Sequence, residues 1–161
     1  MIKKEHITTV YEYDSAADLS SDLQKIIIES KEAALRAYAP YSNFNVGAAV
    51  LLSNGEVFSG NNQENAAYPS GLCAERVAIF YANSKYPNVP VLAIAICAFN
   101  KNGILKTPVP PCGSCRQVLL ESEIRFKTPI KIILVGQQSL QVIGNVSELL
   151  PLSFQKDNLF E

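Results

Sequence analysis

The ten residues VLAIAICAFN, positions 91–100, constrain the fold more than any other stretch of the chain. The run is almost continuously apolar. A strand with one wet face alternates apolar and polar residues, so an unbroken run of this kind predicts a strand buried on both faces. Such a strand needs a layer above it and a layer below it, and the rest of the chain offers helices for both. Leu23, Ile27, Ile28, Ala34 and Leu35 recur at helical spacing and predict a helix over about 21–38, with Ser20 or Ser21 as its cap and Pro40 as its stop. NVGAAVLLS (45–53), the Asn-Gly turn at 54–55 and EVFSG (56–60) predict a hairpin. CAERVAIFYANS (73–84) and SCRQVLLESE (114–123) read as helices, IKIILVG (130–136) and LQVIG (140–144) as strands, and SELLP (147–151) as a short helical turn. Only QQS (137–139) separates the last two strands. Three residues close a hairpin but cannot make a parallel crossover, so the final pair is expected to be antiparallel. The order α-β-β-α-β-α-β-β predicts a three-layer α/β/α sandwich, with a five-stranded mixed sheet and helices on both faces. One domain is expected over 21–161. Residues 1–20 form an N-terminal extension in which TTVYEY makes a short strand or an arm.

Charge narrows the function classes. The 161 residues carry 14 basic and 15 acidic side chains, a net charge of -1, and so show no basic surplus for nucleic acid or an anionic membrane. The opening MIKKEHITTVYEYD has two lysines but no apolar core after them, so it does not read as a signal peptide. No apolar run reaches the roughly 20 residues that span a bilayer. A cytoplasmic chain is expected, and four cysteines in that setting point to metal or catalysis before disulfides.

Three of those cysteines fall at helix starts. Cys73 opens the first helix after the hairpin, and Cys112 and Cys115 bracket the start of the next, in VPPCGSCRQV. Helix N-termini carry free N–H groups and positive partial charge, which favour thiolate. Taken alone, a Cys-x-x-Cys pair reads as a redox switch or half of a structural zinc site. A redox pair has no need of Cys73, and a structural site wants a fourth ligand. None is on offer. Cys97 lies inside the apolar run, where a free cysteine behaves as a small hydrophobe, and His6, the single histidine, sits in a polar stretch. Three thiolates are the number a catalytic zinc keeps, with water in the fourth position. Glu75, two residues after Cys73, is too close to be an easy fourth ligand but is placed to hydrogen-bond that water. Cys-x-Glu followed by Pro-Cys-x-x-Cys is the pattern of the zinc deaminases. Arg76 follows at once and can offset the negative charge of three thiolates by donating to a ligand sulfur.

These motifs, together with YAPYSNFNVGAAV (38–50), NNQENAAYPSGLCAER (61–76), PPCGSCRQVL (110–119) and SELLPLSF (147–154), resemble the cytidine deaminases of the small, single-domain type. The resemblance covers about residues 38–154. It implies zinc-dependent hydrolysis of cytidine and 2'-deoxycytidine to the uridine forms, with release of ammonia and one zinc ion per chain. By that resemblance Cys73, Cys112 and Cys115 are the ligands, Glu75 the proton shuttle and Arg76 the residue that neutralises thiolate. Asn62 and Glu64 correspond to the pair that binds the ribose, and Phe44 to the ring that stacks on the pyrimidine. One residue apart in an extended stretch, Asn62 and Glu64 point the same way, and buried groups that bond a hydroxyl reject a ligand without one. A deaminase of another aminated nucleoside, such as blasticidin S, and a non-enzymatic zinc-binding module are the competing readings. Free-base and tRNA-editing relatives usually carry His at the first ligand position. The antiparallel final pair also resembles cytidine deaminases rather than the editing branch.

A site at two helix ends lies near the surface, and a small domain has little chain to spare for a lid. The resemblance implies a homotetramer in which neighbouring chains close each other's sites, with Tyr68 and Phe154 near the substrate of an adjacent subunit. The sequence departs from the family in its longer N-terminal segment, and in LLPLSF, where LLPGAF is usual.

Overall fold

A computed structural model describes residues 1–160. It contains three helices and one mixed sheet. The strands are β1 (Val10–Tyr13), β2 (Asn45–Leu52), β3 (Val57–Asn61), β4 (Val91–Asn100), β5 (Gly103–Ile104), β6 (Lys131–Val135) and β7 (Leu140–Ile143). The helices are α1 (Ser21–Ala34), α2 (Ala74–Lys85) and α3 (Gly113–Phe126), with short 3-10 turns between and after them. The sheet runs β1-β7-β6-β4-β2-β3, and β5 pairs with the end of β4.

β4 lies in the interior of that order and is buried along nearly its whole length, as its apolar run requires. Its two faces enter different cores. Ile94 and Ile96 pack with Val50, Leu52, Ile132 and Leu134 beneath Ala74, Ala78 and Ile79 of α2 and Leu119 and Leu120 of α3. Ala93, Ala95 and Cys97 face the other way, with Ala49, Ile133 and Val142, against Ile26 and Ile27 of α1. The three-layer arrangement is the expected one, and α2 and α3 share a face.

The sheet has seven strands rather than five. The four residues of β1 are mostly exposed and pair antiparallel with β7, Val10 opposite Ile143. The two residues of β5 follow the Lys101–Asn102 turn and fold back on Phe99 and Asn100. The short strand expected in TTVYEY is present as β1 and joins the sheet, helped by the Ser139 hydroxyl donating to Glu12 Oε1 and by Tyr13 against the core. β5, whose Ile104 packs on the same core, is too short to be read as a strand. β4 and β6 are parallel, joined through α3, and β6 and β7 are antiparallel, as the three-residue link demands.

α1 stops at Ala34, four residues before the expected end at 38. The chain leaves the helix because Tyr38 is claimed elsewhere: its N–H donates to Asn62 O at 3.0 Å, and Glu64 N–H donates to Tyr38 O at 2.8 Å. This pairing brings the 38–46 segment beside the strand end that carries Asn62 and Glu64. α1 also crosses β2 very closely at Gly47, where an added Cβ would lie 2.0 Å from Ser30 O. Across the molecule, buried Glu123 on α3 collects the Ile130, Val146 and Ser147 N–H groups and the Ser147 hydroxyl, tying α3 to β6 and to the chain after β7.

Candidate metal centre and active site

Cys73 is the N-cap of α2 and Cys112 the N-cap of α3, and Cys115 lies in the first turn of α3. Because the two helices lie on one sheet face, their N-termini bring the three sulfurs within 4.8 Å of one another. Zinc–sulfur bonds of about 2.3 Å in a tetrahedron require sulfurs about 3.8 Å apart. The Cys73–Cys112 separation is 3.9 Å. The donor set and its spacing therefore fit zinc, and Cys73, Cys112 and Cys115 are the residues to hold it.

The electrostatics of the cluster favour anionic sulfur at Cys73. The Cys73 thiol is drawn down to about 5, first by the hydrogen bond from Cys115, with further help from Arg76 and Cys112. Cys115 is pushed upward as the donor in that bond and by burial. Arg76 Nη2 reaches Cys73 Sγ at 3.7 Å, and this contact raises the affinity of the guanidinium for its proton. Cys97 behaves as the apolar run predicts: it is fully buried, and burial pushes its thiol up to about 11.

Glu75 occupies the first turn of α2 and is 5% exposed. Burial raises its carboxyl above the usual range, and the charge on Cys73 adds to the effect. Glu75 lines a cavity of about 400 Å³ together with Phe44, Asn62, Glu64, Cys73 and Cys112. The structure thus brings into one place six residues singled out from four separate segments. Ser42, Val46, Ala74, Ile96, Val109 and Pro110 complete the wall.

Asn62 and Glu64 do more than face the cavity. Asn62 Oδ1 accepts from Val46 N–H at 2.8 Å, and its Nδ2 donates to Phe44 O at 2.9 Å. Glu64 accepts from Tyr41 N–H, Ser42 N–H and the Ser42 hydroxyl, and these bonds hold its carboxyl below the ordinary range. The pair pins the 41–46 segment on which Phe44 sits. Tyr68 is 77% exposed, stands edge-on to Tyr41 and lines an adjoining cavity with Cys73 and Arg76. Phe154 lines neither cavity; it is 60% exposed, and its carbonyl accepts from Gln117 Nε2 on α3.

Sequence reasoning missed Arg116. Its Nε donates to Pro111 O and its Nη1 to Leu149 O, both at 2.9 Å. A basic residue directly after the Cys-x-x-Cys pair was the only available signal. Its second partner lies 33 residues away and could not be read from spacing.

Fold and centre together define a zinc-dependent enzyme on a three-layer α/β scaffold. The model of the family "Cytidine and deoxycytidylate deaminase zinc-binding region" matches residues 20–128, and the chain belongs to that family. It is 44% identical to a cytidine deaminase of Halalkalibacterium halodurans, over 86% of this chain and 98% of the relative. It is 39% identical to one of Sporosarcina psychrophila, over 86% and 95%. Among solved structures, a cytidine deaminase from Burkholderia pseudomallei matches with a TM-score of 0.70 and 39% identity, over 81% of this chain and 98% of that one.

Proposed function

We propose that the protein hydrolyses cytidine and 2'-deoxycytidine to uridine and 2'-deoxyuridine, releasing ammonia. The observation that carries this reading is the three-sulfur cluster at paired helix starts with buried Glu75 on the same cavity wall. The relatives named cytidine deaminase support it. Cys73, Cys112 and Cys115 would hold a zinc ion, whose contribution when bound would be to acidify water and so provide a hydroxide nucleophile near neutral pH.

Glu75 moves the protons. Its carboxylate accepts one from the attacking water and delivers it to ring N3, which makes C4 electrophilic. After water has added to C4, Glu75 takes the second proton from the new C4 hydroxyl and hands it to the amino group; the C4=O bond forms as the C4–N bond breaks, and ammonia leaves. A carboxyl raised by burial is suited to both directions of transfer. Phe44 offers a half-buried ring against which a pyrimidine stacks. Asn62 and Glu64 bind the sugar with their remaining capacity. An ionised carboxylate has about four acceptor sites, and an amide nitrogen has two hydrogens. The 41–46 segment uses three acceptor sites of Glu64 and one hydrogen of Asn62 Nδ2.

Residues 21–161 act as one catalytic domain, with residues 1–20 laid on it as an extension. The working form is a homotetramer in which Tyr68 and Phe154, both exposed on the single chain, approach the substrate of an adjacent subunit. A cytoplasmic setting suits three thiols that must stay reduced to bind metal. Ammonia release by the purified protein, assayed over cytidine, 2'-deoxycytidine, cytosine, adenosine and blasticidin S, tests the reading. Turnover of the first two is expected. Zinc binding with no turnover of any of the five would leave a binding module, and equal turnover of cytosine and cytidine would remove the role given to Asn62 and Glu64.

A further inference from the structure

We infer that Arg116 is a positioning residue for the metal loop, and that the N-terminal extension braces it by clamping the turn to which Arg116 is tied. The inference rests on the zinc reading of the cysteine cluster and concerns residues mostly outside the family match, which covers 20–128.

The connection is a chain of hydrogen bonds joined by one step of backbone, from Glu148 to Leu149. Cys112 is preceded by Pro110 and Pro111, so the ligand loop has two successive residues without an N–H. It cannot join the sheet through them, and its carbonyls need partners from outside. Arg116 provides one. Its backbone N–H donates to Cys112 O at 2.9 Å, and its side-chain Nε donates to Pro111 O at 2.9 Å. The first is the helical bond that any residue at this position would make; the second belongs to the arginine side chain and holds the peptide bond that enters Cys112. The same guanidinium, through Nη1, donates to Leu149 O. Arginine alone offers a rigid planar fork able to hold two carbonyls from different segments at once.

The far end of that fork is held in turn. Leu149 follows Glu148 in the 3-10 turn Ser147–Leu149. Thr8 Oγ1 donates to Glu148 O at 2.6 Å, and Thr9 N–H donates to Glu148 Oε2 at 2.7 Å. Asn145 Nδ2 donates to the other carboxylate oxygen at 2.9 Å. Directly after Thr9, β1 begins and pairs Val10 with Ile143. The extension thus reaches the ligand loop without touching the metal cluster, through Thr8 and Thr9, Glu148, Leu149, Arg116 and Pro111. Groups behind a metal's ligands govern how firmly the ligands are presented, and removing them costs about 10–100-fold in affinity.

Zinc release from the full-length zinc-loaded protein to an excess of chelator, followed with a zinc dye, tests the inference. Four variants are compared with the parent protein: Arg116→Gln, Arg116→Lys, Thr8→Val, and Ile27→Val in the opposite layer, with thermal unfolding measured in parallel. Arg116→Gln is expected to release zinc about tenfold faster. Arg116→Lys, which can hold one carbonyl but not two, should fall between it and the parent. Thr8→Val should accelerate release by a factor of about two to three, and Ile27→Val should lower the unfolding temperature without changing release. Parent-like release from Arg116→Gln would overturn the inference. So would acceleration by Ile27→Val equal to that by Arg116→Gln, because the effect would then follow general stability. A parent protein that carries no zinc would instead refute the metal reading on which the inference rests.

Discussion

Glu75 is subject to opposing influences, and their balance sets its chemistry. The helix start and Arg76 favour the carboxylate, while burial and the neighbouring Cys73 favour the acid. Burial is the larger influence, and in the proposed mechanism the raised carboxyl takes a proton and gives it back. Glu75→Gln keeps the shape and removes that exchange. The variant is expected to retain zinc, as read by elemental analysis, and to lose at least about 10²–10⁴-fold in kcat. Asn62 holds the 44–46 backbone and, in the proposed function, also binds the sugar. Asn62→Ala leaves Val46 N–H and Phe44 O without their partner. It should raise KM for cytidine and also cost about 1–3 kcal/mol of stability in urea unfolding. A raised KM with unchanged stability would mean that the bonds to the 44–46 backbone are dispensable.

At the scale of elements, the site depends on how closely helices can approach the sheet. α1 lies against β2 at Gly47, where a Cβ would be 2.0 Å from Ser30 O and 2.3 Å from Ala34 N, all rigid backbone. Gly47→Ala must push helix and strand apart, and overpacking of this kind costs about 1–3 kcal/mol or more. A clear fall in the urea midpoint with an unchanged slope is expected. β2 begins at Asn45, one residue after Phe44, so the same variant should also weaken cytidine binding. The helix starts at Cys73 and Cys112 are positioned more indirectly. α2 and α3 share a face because the chain crosses the sheet on that side twice, once from β3 to β4 and once from β4 to β6.

For the whole molecule, metal and assembly are the two levers. A ligand that binds only the folded state stabilises it by about 4 kcal/mol when its free concentration is about 1,000 times Kd. Removal of zinc by a chelator should therefore lower the unfolding temperature, and added zinc should restore it; an unfolding temperature indifferent to zinc would contradict the three-thiolate site. The single chain leaves Tyr38, Tyr41, Tyr68, Phe80, Tyr81, Leu152 and Phe154 exposed. Burial of such groups drives association. Light scattering during gel filtration is expected to give four times the chain mass of 17.6 kDa. An active monomer would refute the shared-site arrangement. Truncation before Leu152 should lower activity more than zinc content if Phe154 reaches a neighbouring site.

Local chemistry made much of this protein legible without coordinates. The unbroken run of β4 implied two covering layers, the three-residue link implied an antiparallel β6–β7 pair, and three cysteines with Glu75 implied a metal centre. Each depends on residues near one another in the chain or on a periodicity within one element. Other features arise only when distant backbone meets. TTVYEY reads as a short strand or an arm, but its pairing with β7, like that of β5 with β4, is made through N–H and C=O groups that every residue carries, so the side chains did not announce the partner. α1 ended early because Tyr38 bonds to Asn62 and Glu64. Nothing in the SCRQVLLESE stretch marks Glu123, yet it is buried under four hydrogen bonds from segments 7 to 24 residues away. Arg116 finds Leu149, and Glu148 finds Thr8, across 33 and 140 residues. A side chain's type states what it can bond. Which carbonyl or amide stands within 3 Å of it is decided by the packing of the whole chain.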